Sequence, residues 1–179
     1  MTELLTRRGA YTYFGAHPAE TGYVFRVWAP HARAVALAGD FNGWQSAAMT
    51  RTDGGVWELT QPDAKVYDGY KYVVTGADGQ TVWKADPYAF HAATRPGTDS
   101  KVYDIGGYDW HDGDWREKRR AQPPVNGPLL IYEVHLGSWR HHEDGTSLSY
   151  RELARELPAY VKSMGYNFVE LLPVTEYPL

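Results

Sequence analysis

A β-sandwich of immunoglobulin-like type, followed by one strand–helix–strand unit, is the architecture this sequence predicts. Three observations predict it. Between residues 23 and 104, six short apolar runs recur at near-regular spacing with turn signals between them, the mark of a sandwich of antiparallel sheets. From Leu129 onward the pattern becomes an apolar run, an amphipathic stretch and a second apolar run, the order of a βαβ unit. Between these parts, Gly106, Gly107, Pro123, Pro124, Gly127 and Pro128 interrupt residues 106–128, so a linker is expected there. The expected organisation is a lead-in over 1–22, a sandwich over 23–105, a linker over 106–128 and a second unit over 129–179.

The lead-in is weakly patterned, with Gly15, Pro18 and Gly22 marking turns. Residues 23–29 alternate, placing Tyr23, Phe25, Val27 and Ala29 on one face and Val24, Arg26 and Trp28 on the other, before Pro30 ends the strand. Residues 34–38 form a second strand. Asp40-Phe41-Asn42-Gly43-Trp44 follows as a turn, with Asn-Gly its strongest signal. Further strands are expected over 56–60, 70–75, 81–84 and 101–104, introduced or separated by Asp53-Gly54-Gly55 and Asp78-Gly79. Trp28 and Trp57 lie within strands and are expected in the core.

In the second unit, Leu129-Leu130-Ile131-Tyr132-Glu133-Val134 is a nearly unbroken apolar run suited to a strand buried on both faces. Ser149-Tyr150-Arg151-Glu152 fits a capping box, with Ser149 as N-cap. Leu153, Leu157, Tyr160, Val161 and Met164 share one helical face, and Gly165 stands where a C′ glycine belongs. Residues 167–172 form the second strand, ended by Pro173. The linker carries at most a short helical turn, near residues 114–121.

The chain has 179 residues, a formal charge of −4, 7 Trp, 14 Tyr and no cysteine. Its one dense basic cluster, at 116–120, is too short to favour nucleic acid or an anionic membrane as a partner. The absence of cysteine excludes disulfides and thiolate chemistry. Residues 1–15 lack a signal-peptide pattern and no apolar run approaches the roughly 20 residues of a membrane span, so a cytoplasmic protein is expected.

Six stretches resemble the bacterial glycogen branching enzymes. They are Gly15-Ala16-His17-Pro18, Phe25-Arg26-Val27-Trp28-Ala29-Pro30, Gly39-Asp40-Phe41-Asn42-Gly43-Trp44, Ile131-Tyr132-Glu133-Val134-His135-Leu136-Gly137-Ser138-Trp139, Leu148-Ser149-Tyr150-Arg151-Glu152-Leu153-Ala154 and Glu170-Leu171-Leu172-Pro173-Val174. The likeness runs from about residue 11 to the C-terminus in the family's order. It implies a carbohydrate-binding module of the glycogen-binding type, then the start of an α-amylase-type TIM (β/α)₈ barrel. It also implies the reaction, in which an α-1,4-glucan is cleaved and the piece passed to a 6-hydroxyl. Such a barrel takes about 250 residues, and residues 129–179 hold two of its eight strands. The family's nucleophilic aspartate, acid/base glutamate and third aspartate follow later strands. Retaining chemistry needs two carboxylates roughly 5–5.5 Å apart, and no pair here matches the family's motifs. The expectation is an inactive front end with no catalytic residue, no metal and no cofactor.

In the glycogen-binding modules that this sequence resembles, the positions of Trp44, Lys71 and Trp83 hold two tryptophans and a lysine that grip a glucan. A glucan such as glycogen or a maltooligosaccharide is therefore the expected partner. Indole faces and a lysine donor suit a neutral, hydroxylated, half-apolar ring, although interior or domain-interface packing is the alternative for both tryptophans. In the second unit, Glu133 and His135 share a strand face, where His135 is either a barrel-mouth residue or hydrogen-bonded core. His141, His142, Glu143 and Asp144 lack the i, i+4 histidine spacing of a zinc helix and read as polar loop. Glu176 follows the second strand as a lip residue. Two other readings share these features: a stand-alone glucan-binding or interaction module, and the front of a malto-oligosyltrehalose trehalohydrolase or a debranching enzyme.

Overall fold

The computed structural model describes residues 9–174 and divides into two compact units between Asp109 and Trp110. In the first unit, ten strands form two antiparallel sheets. One has the order β1 (Gly15–Pro18), β2 (Tyr23–Trp28), β6 (Val56–Gln61), β5 (Thr50–Arg51). The other runs β4 (Ala47–Ala48), β3 (Ala34–Gly39), β7 (Gly69–Thr75), β10 (Ser100–Lys101), β9 (His91–Ala92), and β8 (Thr81–Lys84) also pairs with β7. Alternating residues of the two sheets meet in a core of Phe25, Val27 and Trp57 with Val35, Leu37, Tyr70, Tyr72 and Val102. Burying such side chains contributes roughly 1.5–3 kcal/mol each, and the period-two alternation puts them all on the inner faces.

Three expectations change in this unit. The lead-in is part of the sandwich from Ala10 onward: β1 pairs with β2, and Phe14 is fully buried with Ala10 and Val56. A four-residue strand containing Gly15 and Pro18 carries no alternation to recognise, because its pairing is made by backbone alone. The strand expected over 101–104 shortens to β10, while β4, β5 and β9 are two-residue strands too short to show a period. Trp28, expected in the core, is 45% exposed. It lies on the outward face of β2 and donates its indole N–H to the Gly54 carbonyl at 3.0 Å. Trp57 is buried as expected.

The second unit holds α1 (Gly113–Ala121), β11 (Ile131–Val134), α2 (Leu136–Trp139), α3 (Tyr150–Ser163) and β12 (Phe168–Leu171). β11 and β12 pair in parallel, Ile131 opposite Phe168 and Val134 opposite Leu171. The capping box at the start of α3 forms in both directions, with Ser149 N–H donating to Glu152 Oε2 at 2.7 Å and Glu152 N–H to Ser149 Oγ at 3.4 Å. Leu157 and Val161 of this helix pack on Val134, and Pro158 lies within it without ending it.

Here too the structure departs from expectation. Leu130 and Ile131 are about half exposed, at 51% and 49%, rather than buried on both faces, since among the described residues each strand of this unit has a single parallel neighbour. Residues 113–121 form a full nine-residue helix with no buried side chain, which an irregular linker does not anticipate. Glu176 lies outside the described residues.

Candidate binding site

The site is built on β7, which has β3 on one side and both β8 and β10 on the other. Tyr70 and Tyr72 point into the core, so Gly69, Lys71 and Val73 occupy the outer face. Register extends that face sideways. Ala38 stands opposite Lys71, Ala36 opposite Val73 on β3, and Trp83 opposite Val73 on β8. Small residues on β3 leave this surface low, and Trp83 rises from it 49% exposed.

Trp44 reaches the same face from the turn after β3. Residues Asp40–Asn42 form one 3₁₀ turn, after which Gly43 and Trp44 both adopt left-handed backbone, each with φ of 61°. Glycine takes that conformation freely, whereas a bulky residue there is strained. Two hydrogen bonds hold Trp44 in it: its amide donates to the Gly39 carbonyl at 2.8 Å and its indole N–H to Asp40 Oδ1 at 2.8 Å. The result is an indole pair, Trp44 and Trp83, with ring centres 6.4 Å apart and planes inclined by 32°. Trp44 is 37% exposed.

Lys71 shares the face, and its ammonium donates to Thr98 Oγ1 at 2.6 Å. All three residues expected from the sequence thus lie on one surface. Sequence reading missed Asp40, Gly69 and Thr98. Asp40 stands in the same turn four positions before Trp44, a spacing that offered a hint. Thr98 is 27 residues from Lys71 and has no local signal. Gly69 leaves room for its neighbours: a β-carbon there would lie 2.5 Å from Asp99 Oδ2, 3.2 Å from Asp40 Oδ2 and 3.4 Å from Trp44 Cζ2.

On the core side of β7, the buried Asp86 carboxylate accepts from the Tyr70 hydroxyl at 2.7 Å, the Tyr72 hydroxyl at 3.1 Å and the Tyr88 amide at 2.8 Å. Burial raises its pKa above the ordinary aspartate value, against the lowering effect of those bonds and of His17. Burial, followed by the Asp86 charge, also pushes both phenols far up. This network anchors β7 from beneath and offers no group to the outer face.

The remaining candidates are dispersed. His135 is exposed rather than core, its Nδ1 3.0 Å from Ser138 Oγ, and Glu133 is exposed as well. His142 Nε2 faces Glu152 Oε2 at 3.5 Å, while Asp144 accepts from the Thr146 hydroxyl and amide, which lower its pKa. Among the described residues, no group of three His, Cys, Asp or Glu side chains is placed to hold a metal ion. No helix there is long and apolar enough to cross a membrane.

The first unit is a β-sandwich that carries an exposed indole pair on one sheet face. Residues 13–89 match the family carbohydrate-binding module 48 (isoamylase N-terminal domain). The chain as a whole is homologous to the N-terminal part of the bacterial glycogen branching enzymes. It is 44% identical to the 1,4-alpha-glucan branching enzyme GlgB of Bacillus subtilis (strain 168), and 49% identical to that of Halothermothrix orenii. Each match covers 94% of this chain and 28% of the relative, so the chain spans little more than a quarter of their length. Among solved structures, the pullulanase of Anoxybacillus sp. LM18-11 complexed with maltotetraose has a TM-score of 0.66 at 20% identity, over 96% of this chain and 28% of that one. That likeness is one of fold.

Proposed function

We propose that the sandwich binds α-1,4-glucan through Trp44, Trp83 and Lys71, as the glucan-holding front part of a branching enzyme. The observation that carries this reading is the exposed indole pair on one sheet face with the Lys71 ammonium. Two flat apolar surfaces match the CH-rich faces of glucose rings, and the ammonium donates to hydroxyls. The family match over residues 13–89 supports carbohydrate as the ligand, and the likeness to 1,4-alpha-glucan branching enzymes supports an α-1,4-glucan.

In this reading, residues 23–105 with their lead-in are the binding module, and 129–179 are the first βαβ unit of a (β/α)₈ barrel. The parallel pairing of β11 with β12 across α3 supports it. The whole protein would cleave an α-1,4-glucan and transfer the piece to a 6-hydroxyl, using carboxylates that follow later barrel strands. The 179-residue chain alone would hold glucan without reacting on it. A cytoplasmic setting goes with the same reading, and the cysteine-free composition fits it.

Titration with maltoheptaose tests the binding claim. Tryptophan fluorescence should be quenched saturably, and the chain should be retarded in a gel containing glycogen. The amylose–iodine spectrum should stay unchanged on incubation. Absence of both quenching and retardation would remove the binding claim, and a loss of the long-wavelength iodine absorbance beyond that of a mock purification would overturn the claim of inactivity.

A further inference from the structure

We propose that Asp40 is the positioning residue of the indole pair: its carboxylate sets the Trp44 ring over the start of β7, and glucan affinity depends on that setting although Asp40 need not touch sugar. The proposal rests on the binding surface described above and adds what aims it. Both carboxylate oxygens are used. Oδ1 accepts from the Trp44 indole N–H at 2.8 Å and Oδ2 from the Gly69 amide at 2.6 Å. One side chain therefore ties the ring to the first residue of the strand that carries Lys71.

Three features make this tie consequential. Trp44 sits in left-handed backbone, which a bulky residue leaves when nothing holds it. Gly69 has no side chain, which lets the carboxylate and the ring edge close on the strand together, within 3.2 and 3.4 Å of where a β-carbon would stand. The acceptor is a carboxylate that takes both N–H groups at once, one on each oxygen. An asparagine at position 40 keeps one acceptor oxygen and turns an NH₂ toward the second N–H, so one of the two bonds must fail.

Asp40→Asn in the full chain tests this with two readouts. Without sugar, the Trp44 indole N–H resonance should shift, and the far-ultraviolet exciton couplet of the Trp44–Trp83 pair should weaken. With maltoheptaose, affinity should fall about two- to fivefold, no further than removal of the Trp44 ring itself would take it. An unmoved indole resonance with an intact couplet would overturn the proposal. So would a moved ring with unchanged affinity, or lost affinity with an unmoved ring, the last meaning that Asp40 contacts sugar directly. If the unsubstituted chain does not bind maltoheptaose, the binding reading and the affinity claim fall together, and the sugar-free signals still decide whether Asp40 holds the ring. Should Asp40→Asn fail to fold, Trp44→Phe decides the matter, since it keeps a ring and the Asp40–Gly69 bond but removes the indole donor. Its affinity should drop to that of Trp44→Ala, and retention within twofold of the unsubstituted chain would refute the tie.

Discussion

Trp44 and Trp83 stand 6.4 Å apart, ring centre to ring centre, although one follows β3 and the other lies on β8, the strands that flank β7 on its two sides. Their proximity is a product of sheet order, and removal of either ring should be felt by a ligand that spans both. Trp44→Ala and Trp83→Ala should each weaken glycogen retention by about 1 kcal/mol, or roughly fivefold, and the double variant should abolish it. Affinity electrophoresis in glycogen measures this. Unchanged mobility of the double variant would assign the pair to packing.

The left-handed backbone of Trp44 predicts a separation of stability from binding. Trp44→Gly and Trp44→Ala both remove the ring, but only glycine accepts a φ of 61° without strain. Trp44→Gly should therefore be more stable than Trp44→Ala by about 1 kcal/mol in urea unfolding, with both equally defective toward glycogen. Equal stabilities would show that the turn relaxes to a right-handed form once the ring is gone.

Gly69→Ala should damage stability and site together. Its methyl group would meet Asp99 Oδ2 at 2.5 Å and crowd Asp40 and Trp44. Accommodation requires those groups to move, at a cost of about 1–3 kcal/mol by analogy with overpacked interiors. A urea midpoint that falls, with a weakened Trp44–Trp83 couplet, is the expected result.

Asp86 predicts a pH dependence of unusual sign for a carboxylate. Burial lifts its folded-state pKa above the ordinary value of 3.8, so the folded chain holds the proton more tightly than the unfolded chain. The stability associated with it is fully present below pH 3.8 and is lost as pH rises through the raised folded-state value. Asp86→Asn removes this titration. The stability of the natural chain relative to the variant should therefore decline from acid pH to neutrality, as read from paired urea unfolding curves. A difference that grows with pH would mean that the Tyr70, Tyr72 and Tyr88 hydrogen bonds outweigh burial.

Hydrogen exchange should separate the two units. β7 is paired on both sides and carries the buried Tyr70 and Tyr72, whereas β11, among the described residues, has the single neighbour β12 and exposes Ile131. Amides of Ile131–Val134 should exchange well before those of Gly69–Thr75. Limited proteolysis should cut within residues 106–128, where α1 buries nothing. Equal protection of the two strands would show that the second unit is as firmly closed as the first.

Period and punctuation in the sequence determined much of this protein. Alternation at Tyr23, Phe25 and Val27 marked an inner face, Asn42-Gly43 a turn, and Ser149 with Glu152 a helix start, because each is a local preference of a few consecutive residues. The motif likeness singled out Trp44, Lys71 and Trp83. Tertiary structure alone decided the rest. Short strands such as β1, β4 and β9 exist through backbone pairing with distant partners and leave no side-chain period. Trp28 faces solvent because its half of the alternation points away from the second sheet. Asp40 reaches Gly69 across 29 residues, and Lys71 reaches Thr98 across 27, distances along the chain that local propensity does not span. The second unit makes the same point from the other side: its apolar strand was legible, but how much of it is covered depends on which neighbours are there to cover it.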